Sequence, residues 1–218
     1  YSKDNFNTDL EGDGAFICQN SWGDNFGENG FFYISYYDTN IGTHNVVYTD
    51  IENTDNYDHI YQSDLCGWVG QLGYNKDSIY GANVFTAEGN ETLKAASFYA
   101  TGKDSQYELY VVRQFEDETS LEKMIPVASG KLGNAGYYTV DFNQGIEVDA
   151  GERYAVVLYI ITPGSVHPMA IEYAADEATE NVDLDDGESY ISANGSKWVS
   201  VDTVEKSNLC IKAFSDNR

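Results

Sequence analysis

Turn residues recur at short intervals along most of this chain, and they limit the folds that it can adopt. From about Tyr61 onward, clusters of Gly, Asn and Asp separate short apolar segments, which is typical of antiparallel β structure. Tyr107, Leu109 and Val111 are spaced two apart and are predicted to share one face of a strand. Segment 154–161 is apolar on both faces, which predicts a central strand. Strands are predicted near 82–87, 92–100, 106–114, 125–131, 137–142, 154–161, 169–174, 188–192, 197–201 and 208–214.

This succession of short strands predicts a mainly β fold, an antiparallel β-sandwich of the jelly-roll type. The 18 Tyr and 20 Gly agree with that prediction, because Tyr is enriched in strands and Gly in turns. The only helical signal is a short one in segment 118–124. No apolar run is long enough to predict a transmembrane helix, so membrane insertion is not expected.

The acidic balance of the chain excludes some classes of partner. With 12 basic and 36 acidic residues, the net charge is −24, which argues against nucleic acid and against an anionic membrane surface. Acidic loops can bind calcium, so a structural Ca²⁺ is the one cofactor that the sequence suggests, and none is expected for catalysis. No metal site is assigned, because a solvated acidic loop explains the densest cluster equally well. That cluster, which departs from EF-hand spacing, contains Asp183, Asp185, Asp186 and Glu188.

The three cysteines do not form a disulfide framework, because their number is odd and small. Cys18 and Cys210 lie in apolar strand patterns, and Cys66 precedes a Gly-Trp pair. All three are predicted to pack as small apolar side chains. The chain has no Cys-x-x-Cys pair, and nothing in the cysteine pattern suggests zinc.

A different pattern occupies the start of the chain. Residues 14–19 are an apolar run, residues 20–23 read Asn-Ser-Trp-Gly, a Gly-rich loop follows, and residues 31–37 are aromatic and β-rich. We predict two strands that pair through the Gly-rich loop, since glycine allows the positive φ angles of a tight turn. A further short strand is predicted over 46–48, followed by an acidic linker.

The segment 14–37 resembles the "NSWG" region of papain-family cysteine peptidases. In that family the Asn is the third member of a Cys-His-Asn triad, and the resemblance assigns this role to Asn20. An amide oxygen can accept a hydrogen bond from a histidine N–H and thereby hold the imidazole in one tautomer and orientation. The resemblance gives Trp22 the task of keeping water away from that bond.

The family order is Cys, then His, then Asn, and this chain departs from it. Its histidines, His44, His59 and His167, all follow Asn20, and Cys18 lies in a strand directly before it. We therefore expect no complete triad within the chain. The expected partner is an upstream part of the peptidase that carries the Cys and the His, with the His a few residues before Tyr1.

The remainder of the chain, roughly residues 60–215, resembles the lectin-like domain that is appended to papain-type peptidases on bacterial cell surfaces. The resemblance rests on an overall pattern that includes Asp-Leu-Cys-Gly-Trp at 64–68 and Gly-Glu-Arg-Tyr-Ala-Val-Val-Leu at 151–158. It implies a secreted protein of the bacterial cell surface, with contact to glycan or cell wall. An aromatic platform with polar neighbours is required to bind sugar, and ordinary sandwich packing is the alternative reading. The candidates are Trp68 with Tyr74, and Trp198 beside Asn194 and Lys197.

These observations predict three regions: residues 1–50 from the end of a papain-like domain, the linker 51–60, and a lectin-like β-sandwich over 61–218. The predicted function is the C-terminal portion of a secreted, cell-surface papain-like cysteine peptidase, inactive as an isolated chain. The alternative is a carbohydrate-binding or adhesion module without a peptidase role. An acidic enzyme with paired carboxylates is disfavoured, because no spacing singles out a pair.

Overall fold

The computed structural model describes residues 14–42, 46–49 and 51–218. The chain divides into two compact units, Tyr1–Glu52 and Asn53–Arg218. The strands described in both units pair in antiparallel fashion. The helices in the described ranges are short, and none is long and apolar enough to cross a membrane. His44 lies outside the described residues.

The described part of the first unit is a two-stranded antiparallel hairpin. Strands β1 (Ala15–Gln19) and β2 (Phe31–Ser35) pair as predicted. The loop between them is closed by a hydrogen bond from the Asn20 backbone N–H to the Gly30 carbonyl (2.9 Å). Gly27 has a φ of 66°, and a Cβ there would lie 2.1 Å from the Phe31 carbonyl oxygen. The turn therefore needs glycine at position 27.

The strand predicted over 46–48 is wrong. Residues 46–49 have no strand structure, and Val46, Val47 and Tyr48 are exposed. An apolar, β-branched run favours a strand only when another strand is available to pair with it.

The second unit contains the remaining strands, which form three antiparallel sheets. The largest has the order β13-β12-β5-β10-β7-β8, the second β3-β15-β6-β9, and the smallest β14-β11-β4. The strands are β3 (His59–Tyr61), β4 (Gly70–Leu72), β5 (Ser78–Thr86), β6 (Glu91–Ala100), β7 (Ser105–Val112), β8 (Ile125–Leu132), β9 (Gly136–Val148), β10 (Arg153–Ile161), β11 (Met169–Glu172), β12 (Glu188–Ser192), β13 (Val199–Ser200), β14 (Asn208–Leu209) and β15 (Ile211–Asn217).

The sequence pattern identified the main strands of this unit. The predicted central strand is confirmed, because β10 pairs with β5 on one side and with β7 on the other. The helical signal corresponds to a single 3-10 helix, Glu118–Glu122, which the Asp117 side chain caps. A second helical turn, α1 (Val201–Val204), follows β13 at the end of a predicted strand. The short strands β3 and β4 were not predicted.

Alternating residues of β10 build two layers of core. Tyr154, Val156, Leu158 and Ile160 face the space between the six-stranded and four-stranded sheets, where Leu93 and Phe98 of β6 meet them. Leu109 and Val111 of β7 lie in the same cluster, and Tyr107 packs against it, so the predicted face is confirmed. Each fully buried side chain of this size contributes about 1.5–3 kcal/mol. The fold is thus an antiparallel β-sandwich.

The opposite face of the six-stranded sheet is covered only at one end. There Ala155 and Val157 of β10 contact a second cluster that contains Phe115 and Leu121, from the segment around the 3-10 helix. Tyr80, Tyr110 and Trp198 lie at the margin of that cluster and are partly exposed.

The cysteines are all free. Cys210 is buried in the sandwich, as predicted, and Cys18 is partly buried. The prediction for Cys66 is wrong, because its side chain is exposed. Cys66 lies in the loop before β4, where its backbone N–H, not its thiol, makes the buried contact, a hydrogen bond to Glu172.

Candidate functional site

Asn20 and Trp22, the two residues predicted from the first motif, lie together in the loop that connects the two strands of the hairpin. The Asn20 side-chain oxygen accepts a hydrogen bond from the Trp22 backbone N–H (2.7 Å), which forms an Asx-turn. The Asn20 amide nitrogen donates to the Phe26 carbonyl (3.4 Å). Both residues line a cavity of about 350 Å³ together with Gln19, Ser21 and Phe32.

This geometry suits the orientation of a donor that enters the cavity. The turn fixes the position of the Asn20 carbonyl oxygen, which has two lone pairs and can accept a second hydrogen bond. The Trp22 ring is 77% exposed and is held edge-on against Phe26, with the centroids 5.1 Å apart. An imidazole that approached Asn20 would be sheltered from water by that ring.

The hairpin exposes far more apolar surface than a stable pair of strands would. Two strands alone are marginal in water, and contiguous exposed apolar side chains mark a contact surface. Large exposed side chains occur on both strands and on the loop. They are Phe16, Ile17, Trp22, Phe26, Phe31, Tyr33, Tyr36 and Tyr37.

Trp68 and Tyr74, two of the residues proposed to bind sugar, contact different parts of the domain. Trp68 is 37% exposed, and its ring contacts Tyr99 (5.8 Å between centroids), which in turn contacts Tyr137 (5.0 Å). Tyr74 is partly buried against the main core instead. Trp68 therefore belongs to an aromatic row on the outer surface of the four-stranded sheet.

Trp198, the other aromatic candidate, lies at the end of a group of three rings. Its ring lies edge-on to Tyr80 (6.2 Å), and Tyr80 stacks on Tyr159 (4.2 Å between centroids, 21° between planes). The Asn194 side-chain oxygen accepts hydrogen bonds from the backbone N–H groups of Ser196 and Lys197, both at 3.2 Å. Asn194 thus caps a turn.

A cluster of oxygen atoms, which the sequence did not single out, surrounds the side-chain amide of Asn208. Its nitrogen lies 2.8 Å from the Ser63 carbonyl oxygen and 2.9 Å from that of Asp183. Carboxylate oxygens of Glu172 and Asp186 follow at 3.1 and 3.3 Å. An amide nitrogen has only two N–H groups, so four acceptors exceed what Asn208 can serve. We call this set the Asn208 cluster.

The Asn208 cluster includes only part of the acidic loop identified from the sequence. Asp185 points elsewhere, to Lys206 (3.0 Å), and both side chains are largely exposed. Glu188 pairs with Arg153 and accepts a hydrogen bond from the Tyr190 hydroxyl. Asp183 contributes its backbone carbonyl, and Asp186 its carboxylate.

The chemistry of the Asn208 cluster fits a hard cation. Its atoms are carboxylate and carbonyl oxygens, and the amide oxygen of Asn208 would join them if the amide were rotated. The Glu172 side chain is fully buried, and in the described part of the chain no Lys, Arg or His forms an ion pair with it. Burial and the Asp183 charge raise the pKa of Asp186. The described residues hold no group of three His, Cys, Asp or Glu that could bind a metal, so a cation in the Asn208 cluster would depend on the carbonyl oxygens as well.

Two solved structures are similar to the chain over its whole length. One is the clostridial cysteine protease Cwp84 after propeptide cleavage, at 27% identity and a TM-score of 0.80, with 55% of that protein's chain covered. The other contains the cysteine protease and lectin-like domains of Cwp84, a surface layer associated protein of Clostridium difficile, at 23% identity and a TM-score of 0.74. The second match, which covers 50% of that protein's chain, shows the fold alone.

The chain thus spans about half the length of the solved structures that it matches. None of the curated proteins compared with the chain matched it. The sequence model of the family described as "Lectin like domain" matches residues 60–215, which include every strand of the second unit from β4 to β14. This match covers well over half of the chain, and the protein therefore belongs to the lectin-like domain family.

Proposed function

We propose that this chain is the C-terminal part of a surface-associated papain-like cysteine protease, with a lectin-like domain that positions the protease. In this proposal the hairpin is part of the peptidase unit, and Asn20 orients the catalytic histidine. The Cys and the His come from an upstream part of the same enzyme, because every histidine of this chain follows Asn20. The similarity to Cwp84 supports both the protease and the cell-surface location.

The observation that carries the proposal is the cavity at the loop end of the hairpin. It places a fixed amide oxygen, that of Asn20, beside the exposed ring of Trp22. A histidine held this way can remove the thiol proton of a cysteine and later protonate the leaving amine. The exposed aromatic side chains of β1 and β2 supply the surface on which the upstream part would pack.

The test compares peptide hydrolysis by the longer protein, which includes the proposed upstream part, with hydrolysis by residues 1–218 alone. We expect thiol-dependent hydrolysis by the first and none by the second. Asn20→Ala should lower kcat on the order of tenfold or more, because the general base loses its fixed orientation. Trp68→Ala, which changes the lectin-like domain, should leave kcat unchanged.

Two results would contradict this function. One is thiol-dependent hydrolysis by residues 1–218 alone, since that would place a complete site within this chain. The other is full activity of Asn20→Ala in the longer protein. If the longer protein hydrolyses no peptide either, the remaining function is that of a carbohydrate-binding or adhesion module without a peptidase role.

We further propose that the Asn208 cluster holds a structural Ca²⁺ in the lectin-like domain. The supporting observation is that the fully buried carboxylate of Glu172 and the carboxylate of Asp186 lie with two carbonyl oxygens around the side-chain amide of Asn208. A cation there would compensate the buried charge and connect β11, β14 and the loops that contain Ser63 and Asp183. It has no part in catalysis.

A further inference from the structure

A groove crosses the outer face of the six-stranded sheet, on the side away from the sandwich core. It has a volume of about 400 Å³, within the usual range for ligand pockets. The side chains that line it come from the neighbouring strands β7, β8 and β10. Its lining consists of Gln106, Tyr107, Glu108, Ser129, Gly130, Lys131, Tyr159 and Ile161.

The strand register arranges six of these residues as two rows. Glu108 lies opposite Tyr159 of β10 on one side and opposite Ser129 of β8 on the other. Gln106, two residues before Glu108, lies in the same way between Ile161 and Lys131. Cross-strand neighbours are about 5 Å apart and the rows about 7 Å apart, so the patch matches one or two sugar rings in size.

Tyr159 gives the groove an aromatic platform that is held in place from behind. One face of its ring is covered by Tyr80, which stacks on it with centroids 4.2 Å apart. Trp198 contacts Tyr80 edge-on and supports this stack in turn. Tyr159 also lines the groove, so the part of its ring that Tyr80 leaves uncovered is available to a ligand.

The polar side chains of the groove include both donors and acceptors. Among the described residues, neither the Gln106 amide nor the Ser129 hydroxyl has a hydrogen-bond partner. The Glu108 carboxylate accepts from the Tyr110 hydroxyl and keeps further lone pairs. The Lys131 ammonium lies 3.3 Å from Asp104, and both side chains are largely exposed.

We propose that this groove binds a neutral pyranose of an oligosaccharide, with the apolar C–H face of the sugar against Tyr159. The ring hydroxyls then meet Gln106, Glu108 and Ser129, which can serve them as donor and acceptor. This inference rests on the part of the proposed function that gives the lectin-like domain a positioning role. It places the sugar at residues other than Trp68 and Asn194.

The charge of the protein favours a neutral sugar over an anionic one. The chain carries a net charge of −24, so a polyanionic glycan would be repelled over much of the surface. Within the groove, Lys131 is balanced by Asp104, and Glu108 adds a further negative charge.

The aromatic row of Trp68, Tyr99 and Tyr137 is a suitable contrast. There the Tyr137 hydroxyl already donates to the Ser97 hydroxyl (2.6 Å), and the Tyr99 ring contacts both Trp68 and Tyr137. This row offers ring surface, whereas the groove also offers unpaired amide and hydroxyl groups. Tyr137→Ala is therefore a matched control for Tyr159→Ala.

The test is an array of neutral pyranose oligosaccharides (oligomers of glucose, galactose, mannose and N-acetylglucosamine) with heparin and polygalacturonate as anionic controls. It uses residues 1–218, followed by calorimetry with the best neutral oligosaccharide. We expect tenfold or greater weakening by Tyr159→Ala and by Gln106→Ala, and no change by Tyr137→Ala. Gln106→Ala removes an exposed side chain, so it keeps the test valid if Tyr159→Ala does not fold.

The proposal is overturned if no neutral oligosaccharide binds, if only the anionic glycans bind, or if binding is lost in Tyr137→Ala but kept in Gln106→Ala. Each of these results leaves the peptidase role intact, because that role is measured by hydrolysis and by Asn20→Ala. Conversely, an inactive longer protein together with glycan binding at the groove would reject the peptidase role alone.

Discussion

Replacing the buried carboxylate of Glu172 by an amide tests calcium binding, because the effect of this change on stability should depend on whether calcium is present. Without calcium, wild type keeps a fully buried negative charge that has no ion-pair partner in the described chain. Burying such a charge costs several kcal/mol. Glu172→Gln removes that cost but weakens the hydrogen bond from Cys66, which contributes about 1.5–3 kcal/mol. We therefore expect the variant to match or exceed wild type in stability in EDTA.

With calcium the order should reverse. An ion present at 100 times its Kd stabilises wild type by about 2.7 kcal/mol. For a domain of this size, that corresponds to a rise in Tm of about 5–10 °C. Glu172→Gln loses one of the two carboxylates of the Asn208 cluster, so most of this increase should disappear.

The assay is thermal unfolding of both proteins, followed by circular dichroism, in EDTA and across a CaCl₂ titration. Asp185→Asn is the matched control, because this exposed residue of the same acidic loop pairs with Lys206. It should respond to calcium as wild type does. MgCl₂ should have a smaller effect, since Mg²⁺ demands a stricter octahedral geometry. The reasoning is refuted if calcium leaves the Tm of wild type unchanged, or if Glu172→Gln loses equal stability in EDTA and in calcium.

Two further predictions concern buried groups in the same domain. In wild type the Asp64 carboxylate is 0% exposed and lies 2.6 Å from the Lys212 ammonium. Lys212→Met leaves this carboxylate as an unpaired buried charge, so it should lower the free energy of unfolding by about 3–5 kcal/mol at neutral pH. Burial already raises the pKa of Asp64, so the folded state binds a proton there more readily than the unfolded state. The loss of stability in Lys212→Met, measured by urea unfolding, should therefore shrink as the pH falls, and a loss that does not change with pH would contradict this. Ellman's reagent should modify the exposed Cys66 in the native protein, whereas Cys210, whose pKa is raised by burial, should react only in denaturant, as peptide mass spectrometry would show.

The sequence predicted the sandwich where hydrophobic pattern alone decides the structure. Strand β10 is apolar on both faces, and only a strand with neighbours on both sides and covered faces accommodates that pattern. The same kind of evidence was misleading at residues 46–48, where an apolar run forms no strand. Strands β3 and β4 are too short to show a periodicity, so they were missed.

The sites were harder to predict, because tertiary contacts bring their residues together. Asn20 and Trp22 are two residues apart, so a local motif was sufficient to identify their shared cavity. Tyr80 and Tyr159 meet only through the register of β5 with β10. The Asn208 cluster combines four separate segments, and half of its oxygens are backbone carbonyls, which any residue type can provide. No spacing in the sequence reports such a site.

The position of β15 has a consequence for how the domain forms during synthesis. This strand follows all the others in the chain, yet it lies inside the four-stranded sheet, between β3 and β6. Until Ile211–Asn217 has left the ribosome, β3 has no neighbour and one edge of β6 stays open. Closing the sheet then joins Ser215 to His59, a contact of high sequence separation that is slow to form. The emerging chain therefore carries an unpaired strand edge from the synthesis of β6 until that of β15, and an open edge of this kind is prone to aggregation.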